Sequence, residues 1–235
     1  MPDKAISVGG SVSASAVFTS DVRTSLTGQF LMAAAMQAKA AAAIESRARA
    51  DITEDDLIAH KGFVIGAIMQ VCAGLECEIW ELMTYGPGHH LGSGGTDTVA
   101  RDILASSAEK VDRKKVTERY RIVLETLGRP AISPDGQLWQ DADLVVRLRN
   151  ELVHYKSRWG SEPCQPDLFA ALKGKQLKRP AFMEAGSTFF PHECLSAARA
   201  AWAVRSCCSF LDEFYLNLGI PGRLDPFRER LRLAE

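Results

Sequence analysis

The sequence predicts an all-α fold, a single-domain helical bundle of about five long helices. Stretches of high helix propensity follow one another with Gly and Pro at their ends. Within them apolar residues recur at helical spacing, and strand-type alternation is confined to a loose run in the first twenty residues.

The 235 residues are 46% hydrophobic and 24% charged, enough for one substantial core. The net charge of -1 argues against wholesale coating of a polyanion and leaves room for a local basic face. Residues 1–22 read as a flexible arm, 23–220 as the bundle with an irregular insertion at 157–191, and 221–235 as a short basic tail helix.

The first helix is an Ala-, Met- and Leu-rich stretch from Thr24 to Ala50. Thr53 followed by Glu54, Asp55 and Asp56 starts the second, with acids at the positive end of the helix dipole. That helix runs to Tyr85 and is apolar nearly all round, as expected of the middle of a bundle. Gly62, Gly66 and Gly74 weaken it as an isolated helix, so close helix approach is the expected compensation. After the breaker GPGHHLGSGG, helical character resumes by Val99, and a charged helix spans Val111 to Leu127. Gly128 and Pro130 stop it. A turn at Pro134-Asp135-Gly136 leads into a helix from Gln137 to Lys156. The insertion holds one short helix at Asp167–Lys173, and the last strong helix runs from His192 to Leu218, closed by Gly219 and Pro221.

Several function classes are excluded. The longest apolar run, Gly62 to Leu75, spans about 21 Å as a helix, short of a bilayer core of about 30 Å. The N-terminal twenty residues lack an unbroken apolar run, so no secretory signal is expected, and a cytoplasmic, non-membrane protein is. The six cysteines (Cys72, Cys77, Cys164, Cys194, Cys207 and Cys208) form no CxxC pair and read as reduced, buried thiols. Neither a metal nor an organic cofactor is expected. His89-His90 has no carboxylate nearby, and GSGGT lacks the lysine of a phosphate loop. His60 reads as a capped or core histidine, His192-Glu193-Cys194 as helix capping, and Trp139, Trp159 and Trp202 as core or loop anchors.

Charge is uneven. Seven acids face one lysine between Asp51 and Leu82, and eight basic residues face three acids between Arg147 and Pro180. The second segment overlaps the helix that carries chemistry. On a wheel of that helix Val145, Leu148, Leu152 and Tyr155 share an apolar arc with Val146 and Val153 at its edge, and Arg149 falls inside it. Arg147, Asn150, Glu151 and His154 lie opposite. A guanidinium cannot give up its charge, so Arg149 needs a carboxylate, a phosphate or a wet cleft. Glu76 and Glu78 on the central helix are the internal candidates.

The run Arg149-Asn150-Glu151-Leu152-Val153-His154 matches the R-x4-H motif of the HEPN superfamily, with a polar residue directly after the arginine. Its flanks, LVVRLRNELVHYK, and the earlier HKGFVIGAIMQVCAGLECEIWEL resemble the same family over about Ile52 to Leu218. The resemblance implies a metal-independent endoribonuclease, a toxin or antiviral defence component, acting on RNA as a homodimer with two motifs lining one cleft. His154 would move protons, Arg149 would hold the phosphoryl oxygens, and Asn150 would orient the imidazole or the phosphate. Glu76 would be the acid that some members add from an earlier helix. Arg147, Lys156 and Arg158 would hold the substrate backbone, and the product would be a 2′,3′-cyclic phosphate. An antitoxin or regulatory protein is the further partner the resemblance implies. Tyr155 follows His154 directly, unlike the R-x4-H-x-Y of toxins paired with nucleotidyltransferases, so modification of that tyrosine is not expected. Arg149 and His154 lie about 140° apart on the wheel, which calls for a second subunit, the reach of arginine or a fraying helix end. The alternative is a HEPN-like module without catalysis, serving protein association or nucleotide binding.

Overall fold

A capping box opens the helix around which the others pack. The Thr53 hydroxyl accepts from the Asp56 backbone N–H at 3.2 Å, and the Asp56 carboxylate accepts from the Thr53 backbone N–H at 2.9 Å. The structure, a computed structural model, describes residues 25–86, 98–156, 165–184 and 186–233. Among these are eight α-helices and no strand: α1 (Thr27–Glu45), α2 (Glu54–Tyr85), α3 (Thr98–Asp112), α4 (Val116–Thr126), α5 (Gln137–Val153), α6 (Pro166–Gly174), α7 (Ala197–Leu218) and α8 (Arg228–Leu231). The fold is all-α. The expected arm, the His89-His90 and GSGGT loop, Trp159, Arg158 and Cys164 lie outside the described residues.

The central position of α2 follows from its composition. α1, α3, α4, α5 and α7 all pack against it, and Val64, Ile68, Val71, Leu75, Ile79 and Leu82 are fully buried there. Each such side chain contributes about 1.5–3 kcal/mol over its exposed state. α2 is long and apolar enough to cross a membrane, and half of its most apolar stretch is buried inside the bundle. Gly74 admits the Leu31 side chain of α1, whose Cδ2 lies 3.0 Å from where a Cβ would stand, and Gly66 does the same for Gln37. Gly62 corrects the expectation of close approach: it is exposed, with nothing within 4 Å of a Cβ.

Side chains tie the remaining helices to this pair. Tyr120 of α4 is fully buried, donates to the Leu75 carbonyl at 2.6 Å and packs edge-on against Phe214 and Phe210 of α7. Glu45, at the end of α1, accepts at Oε1 from the Ala197 N–H at 2.6 Å, and His60 Nε2 lies 2.7 Å from the same oxygen. One carboxylate thereby joins the end of α1, the start of α2 and the start of α7. His60 is a core histidine, packed edge-on against Phe182.

Several helix boundaries differ from the expectation: α1 ends at Glu45 and not at Ala50, and the tail is α-helical only over Arg228–Leu231. The charged helix at 111–127 is interrupted at 113–115, where Arg119 of α4 donates to the carbonyls of Asp112 and Lys114 and closes the end of α3. The helix expected to start at His192 starts at Ala197. Ser196 caps it by accepting from the Arg199 N–H at 3.1 Å, while Glu193 pairs with Arg179 and Cys194 is buried, so none of the 192–194 side chains is the cap. The helix expected to reach Lys156 ends at Val153. The 225–231 segment folds back onto α1, with Leu224 and Leu231 buried and Lys39 donating to the Arg230 carbonyl at 3.0 Å.

The described cysteines Cys72, Cys77, Cys194, Cys207 and Cys208 are free thiols. Burial pushes the Cys72 thiol up to about 12 and Cys194 to about 11.

The capping box predicts two outcomes. Thr53→Ala should lower stability by about 1 kcal/mol in denaturant unfolding. Hydrogen bonds from Thr53, together with Arg47, hold the Asp56 carboxyl below its ordinary value. Its contribution is therefore full above the ordinary carboxylate range and is lost as pH falls through the folded value. The stability gap between wild type and Asp56→Asn should close on acidification below about pH 4; a gap constant from pH 7 to pH 2 would refute the assignment.

Candidate functional site

α5 brings the motif to the edge of the core. Val145 and Leu148 are fully buried and Trp139, Leu144 and Val146 nearly so, which fixes the helix rotation and turns Arg149 inward. The Arg149 guanidinium meets the Glu76 carboxylate of α2 as an ion pair, with side-chain exposures of 22% and 40%. Cys72 lies one turn earlier on α2, and its buried thiol is next to the same guanidinium. Glu78 does not serve Arg149. It is fully buried and pairs with Arg223 from the segment after α7, which also reaches Glu81 at 3.3 Å.

The rest of the motif stands at the end of α5. Asn150 is exposed. His154 follows the last helical residue with φ −105° and ψ 22°, its N–H donating to the Asn150 carbonyl at 3.0 Å. Its imidazole is exposed and makes no hydrogen bond or ion pair among the described residues. Arg149 and His154 are likewise not hydrogen-bonded to each other within one chain. The helix end thus frees His154 from helical geometry while Arg149 stays anchored.

Other wheel positions move. Glu151, expected on the solvent face, is 4% exposed and accepts from Gln165 Nε2 at 2.6 Å, because the segment leading into α6 covers that side. Val153 and Tyr155, expected at the edge of the apolar arc and within it, are 51% and 48% exposed at the helix end. Tyr155 keeps a tilted ring contact with Phe190 at 5.7 Å. Lys156 is exposed beside them. Arg147 sits two turns back, in a cleft between α5 and α6.

The site therefore combines an anchored guanidinium, an accessible imidazole, an accessible amide and an exposed apolar pair. Such a set can bind a phosphoryl group and move protons. No group of three His, Cys, Asp or Glu side chains is placed to hold a metal among the described residues.

One residue escaped the sequence reading. Arg199 on α7 is 3% exposed, donates to the Leu172 carbonyl at 3.0 Å and lies over the Trp202 ring at 5.3 Å. It has no carboxylate partner among the described residues, and its Nε and Nη1 are buried without hydrogen bonds. Desolvation lowers its pKa. A wheel of 197–218 like the one drawn for α5 would have marked it, as a cation beside Trp202 and Ala203.

The half-exposed Glu76–Arg149 pair should show a double-mutant-cycle coupling of about 1–2 kcal/mol, between free surface pairs and buried ones. The coupling should shrink as salt rises. A cycle that closes to zero would mean the two charges act independently.

Comparisons with family models, with curated proteins and with solved structures find no match to this chain.

Proposed function

We propose that this chain is a HEPN-type, metal-independent endoribonuclease that works as a homodimer, in the setting of a toxin or antiviral defence system held in check by a protein partner. The observation that carries the reading is the end of α5, where Asn150 and His154 are accessible on the helix that also holds Arg149, 22% exposed beside Glu76. Glu76 takes the place of the acid that some members of the family add from an earlier helix.

The chemistry follows from the residue types. His154 removes the proton of a ribose 2′-hydroxyl, the 2′-oxygen attacks the adjacent phosphorus, and the bond to the 5′-oxygen breaks. The products are a 2′,3′-cyclic phosphate and a 5′-hydroxyl, the latter receiving its proton from the imidazolium of a second protomer. Arg149 stabilises the extra charge on the phosphoryl oxygens, and Glu76 keeps the guanidinium plane fixed without neutralising it entirely. Asn150 donates to the phosphate or to the imidazole. The exposed Val153 within the motif and Tyr155 directly after it suit a protomer contact there.

A second reading has its own support. The Glu76–Arg149 contact satisfies both charges internally, which favours a non-catalytic binding or scaffolding module.

Purified protein incubated with RNA in EDTA separates the two. The ribonuclease should release 2′,3′-cyclic phosphate ends, and His154→Ala should slow cleavage by at least about 100-fold with an unchanged melting temperature, because its side chain has no partner to lose. Intact RNA with wild-type protein, or equal cleavage by His154→Ala, removes the catalytic reading and leaves the module.

A further inference from the structure

The cleft that holds Arg147 has the features of a separate small-molecule site. It measures about 480 Å³, within the range of ligand pockets. One wall is a single face of α5, with Trp139, Asp143 and Arg147 following each other at four-residue intervals and Leu144 beside them. The other is the C-terminal end of α6, with Gly174 and Lys175.

That second wall is firmly held. Lys175 is paired with Asp141 and lies over the Trp202 ring at 5.9 Å, and Arg199 fixes the Leu172 carbonyl from below. A side chain at Gly174 would meet nothing within 4 Å, so the cleft stays open there.

Gln140 of the first wall is spent on the Asp135 carbonyl, whereas Arg147, Asp143 and Trp139 are largely unspent. Arg147 has neither an ion pair nor a hydrogen bond among the described residues, although Asp143 stands one turn away, the usual distance for a helical pair. Asp143 receives only a long hydrogen bond from Thr117, at 3.4 Å. Trp139 is 8% exposed, and its indole N–H has no partner among the described residues. A cation and an anion thus face one cleft without neutralising each other, beside an aromatic ring with a free donor.

The charge balance selects the ligand. Lys175 is already neutralised by Asp141, so the free pair is one positive and one negative group. A polyanion gains from Arg147 what it loses at Asp143, whereas a molecule carrying both charges gains twice. We infer that the α5–α6 cleft binds a free apolar α-amino acid, its carboxylate on Arg147, its ammonium on Asp143 and its side chain against Trp139 and Leu144. This inference does not rest on the ribonuclease reading, and it assigns Arg147 to the small molecule in place of RNA.

Isothermal titration calorimetry with L-phenylalanine and with L-leucine tests it on the whole chain, with no RNA present. At least one should bind saturably, one per chain. Phenylacetate and phenethylamine, each lacking one of the two charges, should bind at least tenfold more weakly than L-phenylalanine. Arg147→Gln and Asp143→Asn should each weaken amino-acid binding at least tenfold, and Ala171→Trp, an exposed position that fills the cleft from α6, should abolish it. Thermal melts report whether each variant is folded, and Ala171→Trp alone decides the case if the α5 variants are not. Absence of saturable binding by both amino acids, equal binding of phenylacetate, or binding that survives the cleft-filling variant overturns the inference.

Discussion

Two carboxylates on the central helix decide where two arginines go. α2 is enclosed on most of its circumference, so an acid on its inner faces is desolvated and must find a cation. Glu78, with no exposure, takes Arg223 and thereby fastens the segment after α7 to the middle of the bundle. Glu76, nearer the rim, takes Arg149 and sets how α5 lies against α2. The buried apolar face of α5 fixes its rotation, and the charge pair holds Arg149 where that rotation brings it to the edge of the core.

From that anchor α5 carries chemistry outward along one rod. Arg149 belongs to the core's charge balance, Asn150 is already in solvent, and His154 lies past the last helical residue, where backbone geometry no longer ties the imidazole to the 100° step. An arginine and a histidine five positions apart, which a straight helix would aim in different directions, acquire independent orientations. The same rod presents Arg147, two turns before His154, to a different cleft, so one helix serves two sites through residues of different burial.

How much of this was legible depended on whether the cause was local. The helix start at Thr53 was readable because a capping box is made within four residues. The inward turn of Arg149 was readable because its neighbours form an apolar arc, and that arc also narrowed its partner to Glu76 or Glu78. Glu151 was misplaced because its burial is imposed by Gln165 and α6, elements the wheel of α5 does not contain. Gly62 was misread for the same reason: a glycine in a core-type helix marks close approach only where another helix passes, and none passes there. The α5–α6 cleft was invisible in sequence, since its walls come from segments more than twenty residues apart.

The amino-acid sequence by itself determined that this chain is helical, that α2 occupies its centre and that Arg149 turns toward it, because propensity, capping and period act between residues a few positions apart. Tertiary structure alone decided which glutamate receives Arg149, where α5 stops and which polar groups share a cavity. Those outcomes depend on distances between helices, and such distances follow from the packing of the whole core, of which any one segment records only its own face.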